Sequence, residues 1–240
     1  MLVPSGDDTA QCPPSAARMS VRGVMCPPRT LDPMSSPRIL PADHPDVATL
    51  TAEGWTVAQE SWAAQVDATD EARRRWEEAA VVVLELGAFR PLTVDDVPAA
   101  LVLDAATVAD YPGGPATAHA PMTAESARPT GARRAFGLFA ADGALTAQTY
   151  LDVEGPRADV DFTVVRADLR GHELGTALKA ASMLALAFPT SPDDGPSPAV
   201  TVFRTGGAAE NAAILRAAER LGFVVDERWL TLEAPTGHPG

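Results

Sequence analysis

The nineteen residues from Asp161 to Lys179 constrain the fold of this 240-residue chain more than any other stretch. The run from Asp159 to Arg166 carries Phe162, Thr163, Val164 and Val165 and reads as a strand. A short turn containing Arg170 and Gly171 follows, and a helix is expected over Gly171 to Phe188. In that helix Leu174, Leu178, Ala181 and Leu184 or Ala185 recur at helical spacing on one face. The amides at the start of a helix have no partner within the helix and sit at its positive end, so they form a ready site for a phosphate. Gly171 lets the chain turn tightly, Arg170 adds a positive charge, and Thr176 offers a hydroxyl from the first turns.

The elements around this segment are those of a mixed sheet. Trp55 to Val66 is rich in strand formers and interrupted near Gln59 and Glu60, which suits two short strands. Ala68 to Ala80 has Ala72, Trp76 and Ala79 or Ala80 at helical spacing, and the apolar run Val81 to Leu86 reads as a strand. A helix is expected from about Asp95 to Asp110, followed by a Gly- and Pro-rich loop from Tyr111 through His119 to Arg128. Arg134 to Ala140 and Ala144 to Asp152 form a hairpin whose turn chemistry comes from Asp142-Gly143. Beyond the central helix come a strand at Val200 to Phe203 and a helix from Glu210 to Leu221 capped by Gly222. Strands at Val224 to Asp226 and Trp229 to Glu233 follow. From Leu84 the order is β-α-loop-β-β-β-α-β-α-β-β, an α/β chain with helices on the faces of a mixed sheet.

Residues 1–37 hold seven of the 22 prolines, show no sustained period and are expected to be a disordered tail. Residues 38–83 read as an N-terminal extension, 84–235 as the main domain and 236–240 as a flexible end. Within the extension, Gly54-Trp55 and Glu60-Ser61-Trp62 echo Gly222-Phe223 and Glu227-Arg228-Trp229. The echo is either a coincidence between two small hairpins or the remnant of an earlier, similar unit. A net charge of -13 argues against a nucleic-acid or anionic-membrane surface, both of which need clustered cations. Both cysteines, Cys12 and Cys26, lie in the tail, so the rest of the chain has no thiol for metal or covalent chemistry. With no disulfide framework and no apolar run of membrane length, the expected compartment is the cytosol.

Val165, Arg170, Gly171, Leu174, Gly175, Thr176 and Leu178 fall on the positions of a motif that opens Val-x-Pro and continues Q/R-x-x-G-x-G/A into an apolar helix. The segment resembles the acyl-CoA motif of the GNAT acyltransferase superfamily. Asn211, Ile214 and Leu221-Gly222-Phe223 resemble the closing helix of the same family. The resemblance covers about the last two thirds of the chain, and it departs from the pattern at three places. Asp168 stands where the motif opens with Gln or Arg, Glu173 where it has glycine or alanine, and Ala218 where many members carry an acidic-proton tyrosine.

The resemblance implies a GNAT-like fold and transfer of an acetyl or short acyl group from acetyl-CoA to an amine. The backbone of Thr163, Val164 and Val165 would pair with the pantetheine arm. Amides from Gly171 through His172, Leu174 and Gly175 to Thr176, beside Arg170, would hold the pyrophosphate. Asn211 would bond the pantetheine, cap its helix, or do both. Direct attack of an amine needs a proton acceptor. Asp161 on the central strand is the first candidate, with a solvent-facing strand end as its simpler role, and Glu210 is the second. Tyr111 and His119 would shape the acceptor pocket or act as acid. Tyr150 reads as a sheet-packing residue. No metal is expected. Strand edges near Trp55 and Trp229 would permit pairing between two copies of the chain. The other reading, from Glu173 and Ala218, is a non-catalytic module that senses acyl-CoA or serves as a scaffold.

Overall fold

The computed structural model describes residues 36–107, 120–190 and 199–235. The expected disordered tail (apart from its last two residues), the flexible end, Tyr111 and His119 lie outside them. Eight strands form one mixed sheet: β1 (Arg38–Pro41), β2 (Thr56–Asp67), β3 (Ala88–Pro91), β4 (Arg133–Phe139), β5 (Leu145–Glu154), β6 (Arg157–Val165), β7 (Val202–Ala208) and β8 (Val224–Glu233). Among the described residues five α-helices accompany them: α1 (Pro45–Ala52), α2 (Asp70–Leu86), α3 (Val97–Thr107), α4 (Leu174–Ala187) and α5 (Ala212–Arg220). The sheet order is β1-β8-β2-β7-β6-β5-β4-β3, and β6 with β7 is its parallel pair.

Several boundaries differ from those the sequence suggests, each for a tertiary reason. Val81 to Leu86 is the last part of α2 rather than a strand. Ala72, Trp76, Ala80 and Val83 all point into the core, and this stripe against α4 outweighs the strand preference of the three valines. The strand that follows is the shorter β3. The stretch read as two strands between Trp55 and Val66 is one, β2 (Thr56–Asp67), with the irregularity near Gln59 absorbed as a bulge between Val57 and Gln59. Val224 to Glu233 is also continuous, because every residue from Val224 to Glu227 except Asp226, and all from Arg228 to Glu233, pair with β2. β7 extends through Gly206 and Gly207, past the expected end at Phe203. The central helix starts at Leu174, so Gly171, His172 and Glu173 form the approach to it.

The N-terminal segment read as an extension is woven into this sheet. β2 lies between β8 and β7, and α2 runs unbroken across residues 83 and 84. The echo noted in the sequence has a structural counterpart. Both β1-α1-β2 and β7-α5-β8 pass from helix to long strand through a left-handed glycine, Gly54 at φ 90° and Gly222 at φ 89°. Their four strands interleave as β1-β8-β2-β7, each short strand pairing with the other unit's long one. The pattern reads the same from either unit.

Apolar layers cover both faces. On one face α2, α4 and α5 enclose Trp76, Phe136, Met183, Leu186, Phe203 and Leu221. Trp76 stands edge-on to Phe203 at 5.4 Å, and its indole N–H donates to Leu221 O at 2.9 Å. On the other face α3 packs Ala100 and Leu103 against Ala135, Tyr150, Phe162 and Val164. Among the described residues no helix is long and apolar enough to cross a membrane.

Candidate functional site

The parallel strands β6 and β7 pair only at Arg157–Asp159 with Val202–Arg204. Past that point both strands continue, β6 to Val165 and β7 to Ala208, without pairing, so the sheet opens into a cleft closed at one end. On its far side β6 is held to β5 throughout, from Glu154↔Arg157 to Ala147↔Val165. Arg166 N donates to Thr146 O. By alternation Val164 turns its backbone to β5, while Thr163 and Val165 turn theirs to the cleft. Val165 O accepts from Arg170 Nε at 2.9 Å, on that cleft side. Val164 places its side chain in the α3-side core. Of the three residues expected to present backbone to a ligand, Thr163 and Val165 are oriented to do so.

α4 enters at the open end of the cleft. A Cβ on Gly175 would lie 3.6 Å from Val165 Cγ2 and 4.0 Å from Thr163 Cγ2, so the first turn of α4 rests directly under the last residues of β6. The first amide that finds an intrahelical acceptor is that of Ala177, which donates to Glu173 O at 3.0 Å. Among the described residues no side chain caps the helix. The donors of Leu174, Gly175 and Thr176 and the positive end of a 14-residue helix therefore converge at the cleft mouth, an arrangement that suits an anion. Gly171 precedes them at φ 82° with open space where a Cβ would be. His172 is exposed.

Glu173 adopts φ 59°, the left-handed region that favours glycine. Its carboxylate is ion-paired with Arg220 of α5 rather than with Arg170 or Lys179. Arg220 draws this charge sideways, toward α5, and Arg170 remains bonded to Val165 O. Asp168 is likewise occupied: its carboxylate takes two bonds from Arg166, at 2.7 and 3.0 Å, and the guanidinium holds its pKa below the usual range.

The register between β5 and β6 steps from Tyr150↔Phe162 to Leu151↔Val160, which makes Asp161 the extra residue of a bulge. The bulge turns Asp161 to the α3 side of the sheet. There Arg133 of β4 donates to Asp161 Oδ2 at 2.7 Å and to Asp152 Oδ1 at 2.9 Å, with its guanidinium over the Tyr150 ring. Asp161 is thus an anchored carboxylate, 28% exposed, rather than an isolated one. Tyr150 is buried, and burial pushes its hydroxyl up to about 12; it donates to Ala127 O at 3.0 Å. That is the packing role expected of it. Glu210 is exposed and accepts from Gln59 Nε2 at 3.4 Å. Asn211 caps α5, its side chain accepting from Ile214 N at 3.2 Å, next to the end of β7. Ala218 is buried in the core, and its carbonyl accepts from Phe223 N at 3.0 Å.

Arg133 and Arg220 emerge only in three dimensions, since their partners lie 28 and 47 residues away. Lys179 had a sequence signal that the motif obscured. It is the one charged residue in the apolar helix α4, four residues after Gly175 and so on the same face.

A split parallel pair, a strand bulge at the cleft and an uncapped helix at its mouth define an α/β protein built around one extended cleft. Many solved structures share this architecture, and three illustrate it. One is described as a tandem GNAT protein from the clavulanic acid biosynthesis pathway (without AcCoA), with 20% identity, TM-score 0.50, and coverage of 85% of this chain and 64% of that one. A GCN5-related N-acetyltransferase from Sphaerobacter thermophilus shows 12% identity and TM-score 0.55, with coverage of 86% and 63%. A GCN5-related N-acetyltransferase-like protein from Streptococcus suis shows 14% identity and TM-score 0.53, with coverage of 82% and 71%. No sequence-family model and no curated protein sequence matches the chain. The chain has the fold of the GNAT acetyltransferases, and it spans about two thirds of the length of these structures.

Proposed function

We propose that the chain is an N-acyltransferase that moves an acetyl or other short acyl group from acyl-CoA to an amine. The observation that carries this reading is the cleft itself: β6 and β7 part beyond Asp159 and Arg204, and the uncapped start of α4 lies at the open end. The residues present fit such a donor. Thr163 and Val165 would bond its pantetheine arm as a further strand does, the amides of Leu174 to Thr176 would hold its pyrophosphate, and Asn211 stands at the end of the opposite wall. The amine nitrogen attacks the thioester carbonyl; the C–N bond forms, the C–S bond breaks, and the ammonium proton must leave. Asp161 accepts that proton, with Arg133 fixing its position from the α3 side. No tyrosine stands at position 218, so the departing thiolate takes its proton from solvent.

A non-catalytic, acyl-CoA-sensing module is the second reading, favoured by Glu173 at the cleft mouth and by the ion pair that occupies Asp161. Calorimetry with acetyl-CoA, followed by a thiol-release assay across a panel of amines, separates the two. Binding with turnover supports the enzyme. Binding without turnover on any amine supports the sensor, and no binding overturns both.

A further inference from the structure

Among the described residues, Lys179 is a cation without an anion. Its side chain is only 7% exposed, and it donates to Thr205 Oγ1 at 3.4 Å. Thr205 is the first residue of β7 beyond the last paired position, so the ammonium lies beneath the closed end of the cleft. Among the described residues no carboxylate pairs with it. α4 contains no acidic residue, and α2 turns Ala72, Trp76, Ala80 and Val83 to this side. Arg204 and Asp159 belong to the opposite face by strand alternation, where Asp161 also points. Burial alone pulls the Lys179 pKa down, to about 8.

A second buried donor lies on the same face of β7. Trp62 is 2% exposed, and its indole N–H has no partner among the described residues. The Trp62 ring packs on Gly207, lying 3.4 Å from where a Cβ would be. Gly207 and Thr205 are two apart on β7 and therefore share the face over α4, about 7 Å from each other. An ammonium and an indole N–H, both buried, thus lie on the same face of the short stretch of β7 that is paired with β2 but not with β6. Isolated, these groups cost stability. One carboxylate would satisfy both.

We propose that the closed end of the β6–β7 cleft is a carboxylate pocket, in which Lys179 and Trp62 hold the free acid group of a dicarboxylic acyl chain. The proposal rests on the acyl-CoA reading for the rest of the ligand. Gly175 and Lys179 lie one turn apart on one face of α4, so a donor whose pyrophosphate meets the helix start and whose arm follows β6 brings its acyl end over Lys179. The substrate class is then a malonyl- or succinyl-type thioester rather than acetyl.

Calorimetry on the full chain tests this with CoA, acetyl-CoA and succinyl-CoA, against the Lys179→Met and Trp62→Phe variants. Succinyl-CoA should bind about ten- to a hundredfold more tightly than acetyl-CoA. Lys179→Met should abolish that preference while leaving CoA itself unaffected, and Trp62→Phe, which keeps the ring, should reduce it. A thermal shift with free succinate provides a separate reading: it should raise the Tm of the wild type and not of Lys179→Met. Equal affinity for the two thioesters, or a preference that survives Lys179→Met, overturns the proposal. Silence toward CoA with a Lys179-dependent succinate shift would overturn the acyl-CoA reading and leave the carboxylate pocket standing. Silence toward both overturns the two together. A Tm for Lys179→Met at or above that of the wild type establishes that the variant is folded.

Discussion

At the residue scale, two side chains work against stability. Glu173 holds a left-handed backbone that costs an L-residue about 1–2 kcal/mol, while its exposed ion pair with Arg220 returns about 1 kcal/mol at most. Glu173→Gly should therefore leave the fold as stable or stabilise it by about 1 kcal/mol, read by denaturant melts, and should tighten CoA binding by removing a negative charge from the helix start. A weaker CoA affinity in that variant would show that the carboxylate assists the site instead. Lys179 is the second case. Its folded pKa, about 8, lies below the ordinary lysine value, so the unfolded chain binds the proton more tightly. Stability then rises with pH between about 8 and 10.5, and the cost of burial is complete below that window. Lys179→Met should stabilise the ligand-free protein by up to about 3 kcal/mol at pH 7, and the gain should shrink toward pH 10. Thermal melts at the two pH values measure the difference.

At the scale of elements, α2 shows how packing overrides local preference. Val81, Val82 and Val83 favour a strand in isolation, yet Val83 completes a buried stripe with Ala72, Trp76 and Ala80, and the helix continues to Leu86. Trp76 is the anchor of that stripe: fully buried, bonded to Leu221 O and in contact with the rings of Phe188 and Phe203. Trp76→Ala should cost about 3–5 kcal/mol, because it opens a cavity and leaves a core carbonyl without its donor. Urea unfolding would measure it, and a loss under 1 kcal/mol would mean that α2 is not integral to the core. The bulge on β6 is the other consequential element. A strand without it would turn Asp161 to the opposite face and away from Arg133.

At the scale of the whole molecule, the sheet does not divide at residue 84. β2 contributes the seam between β7 and β8, and the four strands β1, β8, β2 and β7 interleave as two related β-α-β units. A chain beginning at residue 84 would lose β1 and β2, leave β8 with neither of its strand partners and β7 unpaired along its β2 edge, and expose Phe203 and Trp229. Such a chain should fail to give a cooperative thermal transition by circular dichroism, whereas removal of residues 1–35 should preserve it. The interleaving also accounts for the echo of Gly54-Trp55 in Gly222-Phe223: both glycines reverse the chain between a helix and a long strand of the same sheet.

The sequence alone determined what is local and periodic. The β6-turn-α4 segment, the β4–β5 hairpin, the α5 helix with its Asn211 cap and Gly222, and the three departures at Asp168, Glu173 and Ala218 are all legible, because each rests on spacing or on neighbours a few residues away. Tertiary structure decided the partners of each charge, the bulge at Asp161, the length of α2 and the place of β2. These depend on contacts between residues far apart in the chain, which no local pattern encodes. Lys179 lies between the two: a single charge in an apolar helix is visible in the sequence, but only the assembled cleft shows that it is buried with no anion beside it among the described residues.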